Sequence, residues 1–283
     1  MESNNRIKNI INIFVPLIIA MLLQALVVFV DIVAIFINNM LSDEKTAASK
    51  SIETIMSQDY TQPMNQAAIS AIQFLLYILI FGIWYYKIEK PSFKEGFFGI
   101  IKPPIIIFLI ISGIASQFLV DGVLTLVRPV FKSAFKNYDE LLSVVTGASR
   151  SWLMLLAVFL FAPIAEEMLF RGLILTYAKR CMPVSLAIAL QALLFGVYHG
   201  NIIQSTYAFL LGLLLGILVT KTDNIVAAII LHTAINLSIL IVPSGLFTGT
   251  LSVILTCIIS AVILMASIYM ILNIKNIKKK VKP

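Results

Sequence analysis

The stretch Ala162-Pro-Ile-Ala-Glu-Glu-Met-Leu-Phe-Arg-Gly172 places two adjacent carboxylates, Glu166 and Glu167, and the guanidinium of Arg171 inside a long apolar run. Leu153–Phe161 precedes it and Leu173–Leu175 follows it. A charge near the centre of a bilayer costs about 2.5–3.5 kcal/mol on insertion scales, and ionisable groups kept there are functional by default. The only two histidines of the chain, His199 and His232, also lie in apolar segments. The pattern predicts a buried catalytic site in a membrane-embedded enzyme.

The rest of the sequence fits that setting. Of 283 residues, 60% are hydrophobic and only 12% charged, whereas soluble domains carry about 25% charge. Mean hydropathy is +0.98. The apolar residues come in long blocks, which predicts an all-α, polytopic helical membrane protein with about eight transmembrane helices. The expected spans are Ile10–Ile37, Ala67–Tyr86, Pro103–Leu119, Ser151–Tyr177, Pro183–His199, Ser205–Val219, Ile225–Val242 and Leu246–Ile274. The last is long enough to tilt or break. Asn38–Gln66 is expected to be a polar loop, and Val120–Arg150 an amphipathic linker at the interface. Three regions follow: N-terminal helices and linker over 1–150, a catalytic helical core over 151–241, and a final helix with a basic tail over 242–283.

The net charge of +7 does not indicate nucleic-acid binding. The lysines cluster at segment ends and in the tail Lys275–Lys282, and no basic face with interleaved aromatics is present. Membrane lipid and a peptide or protein substrate are the expected partners. Basic residues before span one, between spans two and three, and after spans four, six and eight fall on one side, predicting cytoplasmic N- and C-termini. Arg128, Lys132 and Lys136 fall on the other side, against that trend. The Ile- and Lys-rich composition is compatible with a bacterial cell membrane. The first apolar run is too long for a signal-peptide core. Cys181 and Cys257 are too few for a disulfide framework. Gly212-x-x-x-Gly216 reads as a close-packing motif, and Gln24 and Asp31 in span one are left outside the site.

On a helix, residues four apart share a face. Glu167 and Arg171 form such a pair, as do Phe195 and His199, and His232 and Asn236. Glu166 is turned about 100° from Glu167, so one carboxylate can pair with arginine while the other faces a cavity. Such a set supports water attack on an amide. A carboxylate acts as general base, one histidine holds the water, and a histidine and an asparagine bind the oxyanion. Alternatively, His199, His232 and Glu166 could hold zinc, although no His-Glu-x-x-His pattern occurs. A purely structural Glu–Arg pair, as in a bacteriocin-immunity or scaffold factor, and a proton relay in a transporter also remain open. By residue count Glu166 falls at mid-membrane and His199 near the outer end of its span, a mismatch in depth.

Glu166-Glu167-x-x-x-Arg171, Phe195-x-x-x-His199 and His232-x-x-x-Asn236, in this order, resemble the three motifs of the CPBP family. These are the CAAX proteases and bacteriocin-processing enzymes, also called Abi proteins. The likeness covers about Ser151–Ile241 and includes Pro163-Ile-Ala before the glutamates and Phe170-Arg-Gly after them. It implies an intramembrane endopeptidase of about eight helices. Glu166 would be the base, with His199 holding the water. His232 and Asn236 would form the oxyanion site, and Glu167 and Arg171 would give structural support. The prenyl-protein branch implies hydrolysis without a metal or other cofactor.

Overall fold

A computed structural model of the chain describes residues 2–41, 63–89, 103–146, 151–241 and 249–280. Among them there are helices and turns but no strands. In chain order the helices are α1 (Glu2–Leu41), α2 (Pro63–Ile88), α3 (Pro103–Val127), α4 (Lys132–Thr146), α5 (Trp152–Lys179), α6 (Val184–Tyr198), α7 (Ile202–Thr222), α8 (Ile225–Ser238) and α9 (Thr250–Lys280). The protein is an all-α polytopic membrane protein.

Six of these helices (α1, α2, α3, α5, α7 and α9) are long and apolar enough to cross a bilayer. The other two of the eight expected spans, α6 and α8, are apolar but have 15 and 14 residues, or about 22 Å each at 1.5 Å per residue. Local chemistry sets their limits. Pro183 precedes α6, and Gly200 follows it in the left-handed region at φ 68°, a conformation glycine adopts without strain. Asn224 caps α8 by accepting from the backbone N–H groups of Val226 and Ala227, which satisfies donors that the first turn leaves free. Asn201 caps α7 in the same way.

Three expectations need adjustment. The linker does not begin at Val120, because α3 runs on to Val127; its amphipathic part is α4. The final helix α9 is unbroken from Thr250 to Lys280. Of the polar loop at 38–66, α1 takes residues to Leu41 and α2 begins at Pro63, while 42–62 lie outside the described residues. Residues 90–102, 147–150, 242–248 and 281–283 also lie outside them, and with them several of the lysines used for the topology.

The centre of the molecule is α5, whose side chains are almost continuously buried from Ala162 to Ala178. It packs on α1 and α2 through Ile13, Tyr77, Phe81 and Tyr85, and on α6 through Phe195. A second core joins α3, α7 and α8 through Leu109, Leu215, Leu218 and Leu231. Outside these cores lie exposed apolar side chains such as Leu22 and Phe29 on α1 and Ile258 and Val262 on α9, a belt suited to lipid.

Candidate active site

α5 is not a uniform helix. Ala157–Phe161 and Met168–Ile174 are π-helical, and between them Ala162–Glu167 is α-helical. Wide turns of this kind are frequent at functional sites. The first has a local consequence. The N–H of Ala162 bonds to the carbonyl of Ala157, one residue further back than in an α-helix. Pro163 has no N–H to give. Neither residue can cover the carbonyl of Val158. The side chain of Asn236 does so, donating from Nδ2 across 3.3 Å.

The two glutamates point to different surroundings, as their turn of about 100° requires. Glu167 is fully buried and pairs with Arg171 at 2.5 Å, with both side chains at 0% exposure. Glu166 lines a cavity of about 190 Å³ together with Phe195, His199, His232 and Asn236. Four of the motif side chains expected to act on substrate therefore share one cavity, brought there by α5, α6 and α8.

The depth mismatch disappears in this arrangement. Glu166 lies 13 residues before the end of α5 at Lys179, and His199 lies 15 residues after the start of α6 at Val184. Counted from the turn that joins the two helices, both sit about 20 Å along their axes. Depth has to be measured from that shared turn, because α6 is short.

Hydrogen-bond partners fix the histidine tautomers. A carbonyl oxygen only accepts. His199 Nδ1 lies 2.7 Å from the carbonyl of Phe195, so Nδ1 carries the proton and a neutral ring keeps its lone pair on Nε2. An arginine-paired carboxylate also only accepts. His232 Nδ1 lies 2.8 Å from Glu167 Oε1, so it too donates. Its Nε2 is 3.7 Å from Glu166 Oε2. His232 thus bridges the glutamates, and can donate from Nε2 only as an imidazolium.

Phe195 is the hub of the cluster. The Arg171 guanidinium sits 4.5 Å from its ring centre. His199, His232 and Phe170 contact it edge-on at 4.8, 5.7 and 5.0 Å between centroids. These contacts combine cation–π and edge-to-face attraction.

Among the described residues no three His, Cys, Asp or Glu side chains are grouped to hold a metal ion.

Sequence reasoning missed several residues of the cavity. Gln117 from α3, Tyr138 from α4, and Gln204 and Tyr207 from α7 form the wall facing the motif residues. Tyr207 and Leu211 also line a neighbouring apolar cavity of about 560 Å³ between α3, α4, α7 and α9. Nothing in the one-dimensional pattern of α4 marks Tyr138. Gln204, three residues after the Asn201 cap, carries no motif. Gln24 and Asp31 lie on α1, which does not line the cavity.

Residues 148–238 match the family model described as type II CAAX prenyl endopeptidase Rce1-like. That model describes the CPBP/CAAX protease family, which this segment resembles. The matched segment spans α5 to α8, and so contains all three motifs and every motif residue of the cavity. It supports a membrane-embedded endopeptidase in general terms. No curated protein and no solved structure matches the chain.

Proposed function

We propose that the chain is an intramembrane endopeptidase that hydrolyses a peptide bond in a membrane-associated peptide or protein, with Glu166 as the base. The reading rests on one observation above others: Glu166, His199, His232 and Asn236 line a single cavity while Glu167 is turned away into an ion pair.

Water bound between Glu166 and the Nε2 lone pair of His199 gives its proton to the Glu166 carboxylate as its oxygen attacks the scissile carbonyl carbon. The developing oxyanion accepts hydrogen bonds from Asn236 Nδ2 and from His232 Nε2 as imidazolium. The C–N bond then breaks, and Glu166 returns the proton to the departing amine. One water is consumed, and the carboxylate is regenerated.

Phe195 supports the set by stacking. The mechanism uses no metal or cofactor and no nucleic acid. The protein sits in a bacterial cell membrane, with both protein termini on the cytoplasmic side. The 151–241 core carries the chemistry, and the helices before and after it embed it.

The test is incubation of the purified protein with a peptide library, beside the Glu166→Gln form. Cleavage by the native protein, lost in a folded Gln form, is expected. General-base removal of this kind lowers rates by about 10²–10⁴-fold. Undiminished cleavage by the Gln form would overturn the assignment of the base. Peptide binding without cleavage by either form would favour the non-catalytic alternative, and ion flux in liposomes would favour a transporter.

A further inference from the structure

Gln191 lies four residues before Phe195 and eight before His199, on the same face of α6. Its neighbours on that helix are almost all apolar, and the side chain is 0% exposed. A buried amide is unfavourable in such surroundings unless it is hydrogen-bonded. Here Nε2 donates to the carbonyl of Gly212 at 2.8 Å and to that of Ile188 at 3.0 Å, while Oε1 is buried without a partner among the described residues.

The Gly212 carbonyl is also where the far side of Arg171 is anchored, with Nη2 at 3.4 Å. Two side-chain donors from different helices therefore meet one oxygen of α7. The Gly212-x-x-x-Gly216 motif makes room for this. A Cβ at position 212 would lie 3.0 Å from Ala192 Cα, so that glycine lets α6 and α7 approach. A Cβ at position 216 would lie 2.5 Å from Gln191 Nε2, so that glycine accommodates the amide itself.

We propose that Gln191 is a positioning residue for the active site. By sharing the Gly212 carbonyl it confines the Arg171 guanidinium to the orientation that stacks on Phe195 and presents Nη1 to Glu167. Through Glu167 it sets the ring of His232. The inference rests on the proposed roles of Glu166 and His232 for its catalytic consequence, but not for its structural one.

The experiment exploits the presence of only two histidines. The full-length protein is labelled with ¹⁵N-histidine, and the ring nitrogen shifts of His199 and His232 are recorded in native, Gln191→Leu and Ser267→Ala forms. Ser267 is a control: it is equally buried and bonds to Ser112 at 2.7 Å, outside the cavity. The expected result is displaced His232 shifts in Gln191→Leu, with His199 unmoved and the Ser267→Ala spectrum native. Turnover of a library-derived peptide should fall about 10–100-fold in kcat with KM little changed, as for a small misplacement of reacting groups.

If Gln191→Leu does not fold, Gly216→Ala presses on the amide without removing it and should displace His232 in the same way. Unmoved His232 shifts in the folded variant, or equal movement in Ser267→Ala, would overturn the proposal. The NMR readout decides it whether or not a peptide is cleaved, so a failure of the peptidase reading is seen separately.

Discussion

His232 Nδ1 and Arg171 Nη1 converge on one atom, Glu167 Oε1, with His232 at 2.8 Å. The histidine comes from α8, 65 residues away in sequence from its glutamate. This carboxylate orients the histidine and leaves its other nitrogen toward Glu166.

From this geometry, His232→Ala should lower kcat by about 10²–10³-fold, the usual effect of losing one oxyanion donor. Stability should change much less, because Glu167 keeps Arg171. Steady-state turnover beside thermal unfolding in detergent checks both. A kcat within threefold of native would remove His232 from the mechanism.

Arg171→Ala should destabilise the protein by about 3–5 kcal/mol, the penalty for leaving the partner of a buried ion pair uncompensated. Glu166→Gln should change stability far less, since Glu166 borders a cavity. Arg171→Lys should fall between, keeping the charge but losing the planar stack on Phe195. Denaturant or thermal midpoints rank the three variants; equal midpoints for Arg171→Ala and Glu166→Gln would contradict the pairing.

Gly113 on α3 faces α8. A Cβ there would lie 2.6 Å from Ala234 Cβ and 2.9 Å from the carbonyl of Leu231. Gly113→Ala should therefore push α3 and α8 apart at about 1–3 kcal/mol, as overpacking does. Because His232 and Asn236 ride on α8, activity should drop along with the unfolding midpoint. An unchanged midpoint would show that the two helices give way freely.

Hydrolysis should survive exhaustive dialysis against a chelator, with zinc well below one equivalent by elemental analysis. Among the described residues no three His, Cys, Asp or Glu side chains are grouped to hold a metal ion. Activity lost to chelator and restored by zinc would reassign Glu166, His199 and His232 as ligands.

The helical content and the Glu167–Arg171 pair were legible in the sequence because both follow from local periodicity. Apolar runs mark helices, and four residues bring two side chains to one face. The limits of α6 and α8 were less legible. Pro183, Gly200 and Asn224 set them, and each was hidden at the edge of an apolar block. The apparent depth of His199 went wrong for the same reason. The link from His232 to Glu167 depends on how α8 packs against α5, which periodicity does not encode. Gln191 did carry a signal, a lone amide in an apolar helix four residues before a motif phenylalanine. The partnership of Asn236 with Val158 needed the wide turn before Pro163, which no spacing rule reveals.

The two wide turns of α5 bear on how its length can vary. A π turn is in effect one extra residue lodged in an α-helix. Removing a residue from Ala157–Phe161 would let that turn tighten while both flanks keep their rotational phase. The same deletion within Ala162–Glu167 has no slack to absorb it and would swing everything beyond by about 100°, carrying Arg171 out of register with α6. A one-residue deletion should thus be tolerated before Ala162 and not among the glutamates, so that α5 behaves as a rigid dial held behind one adjustable coupling.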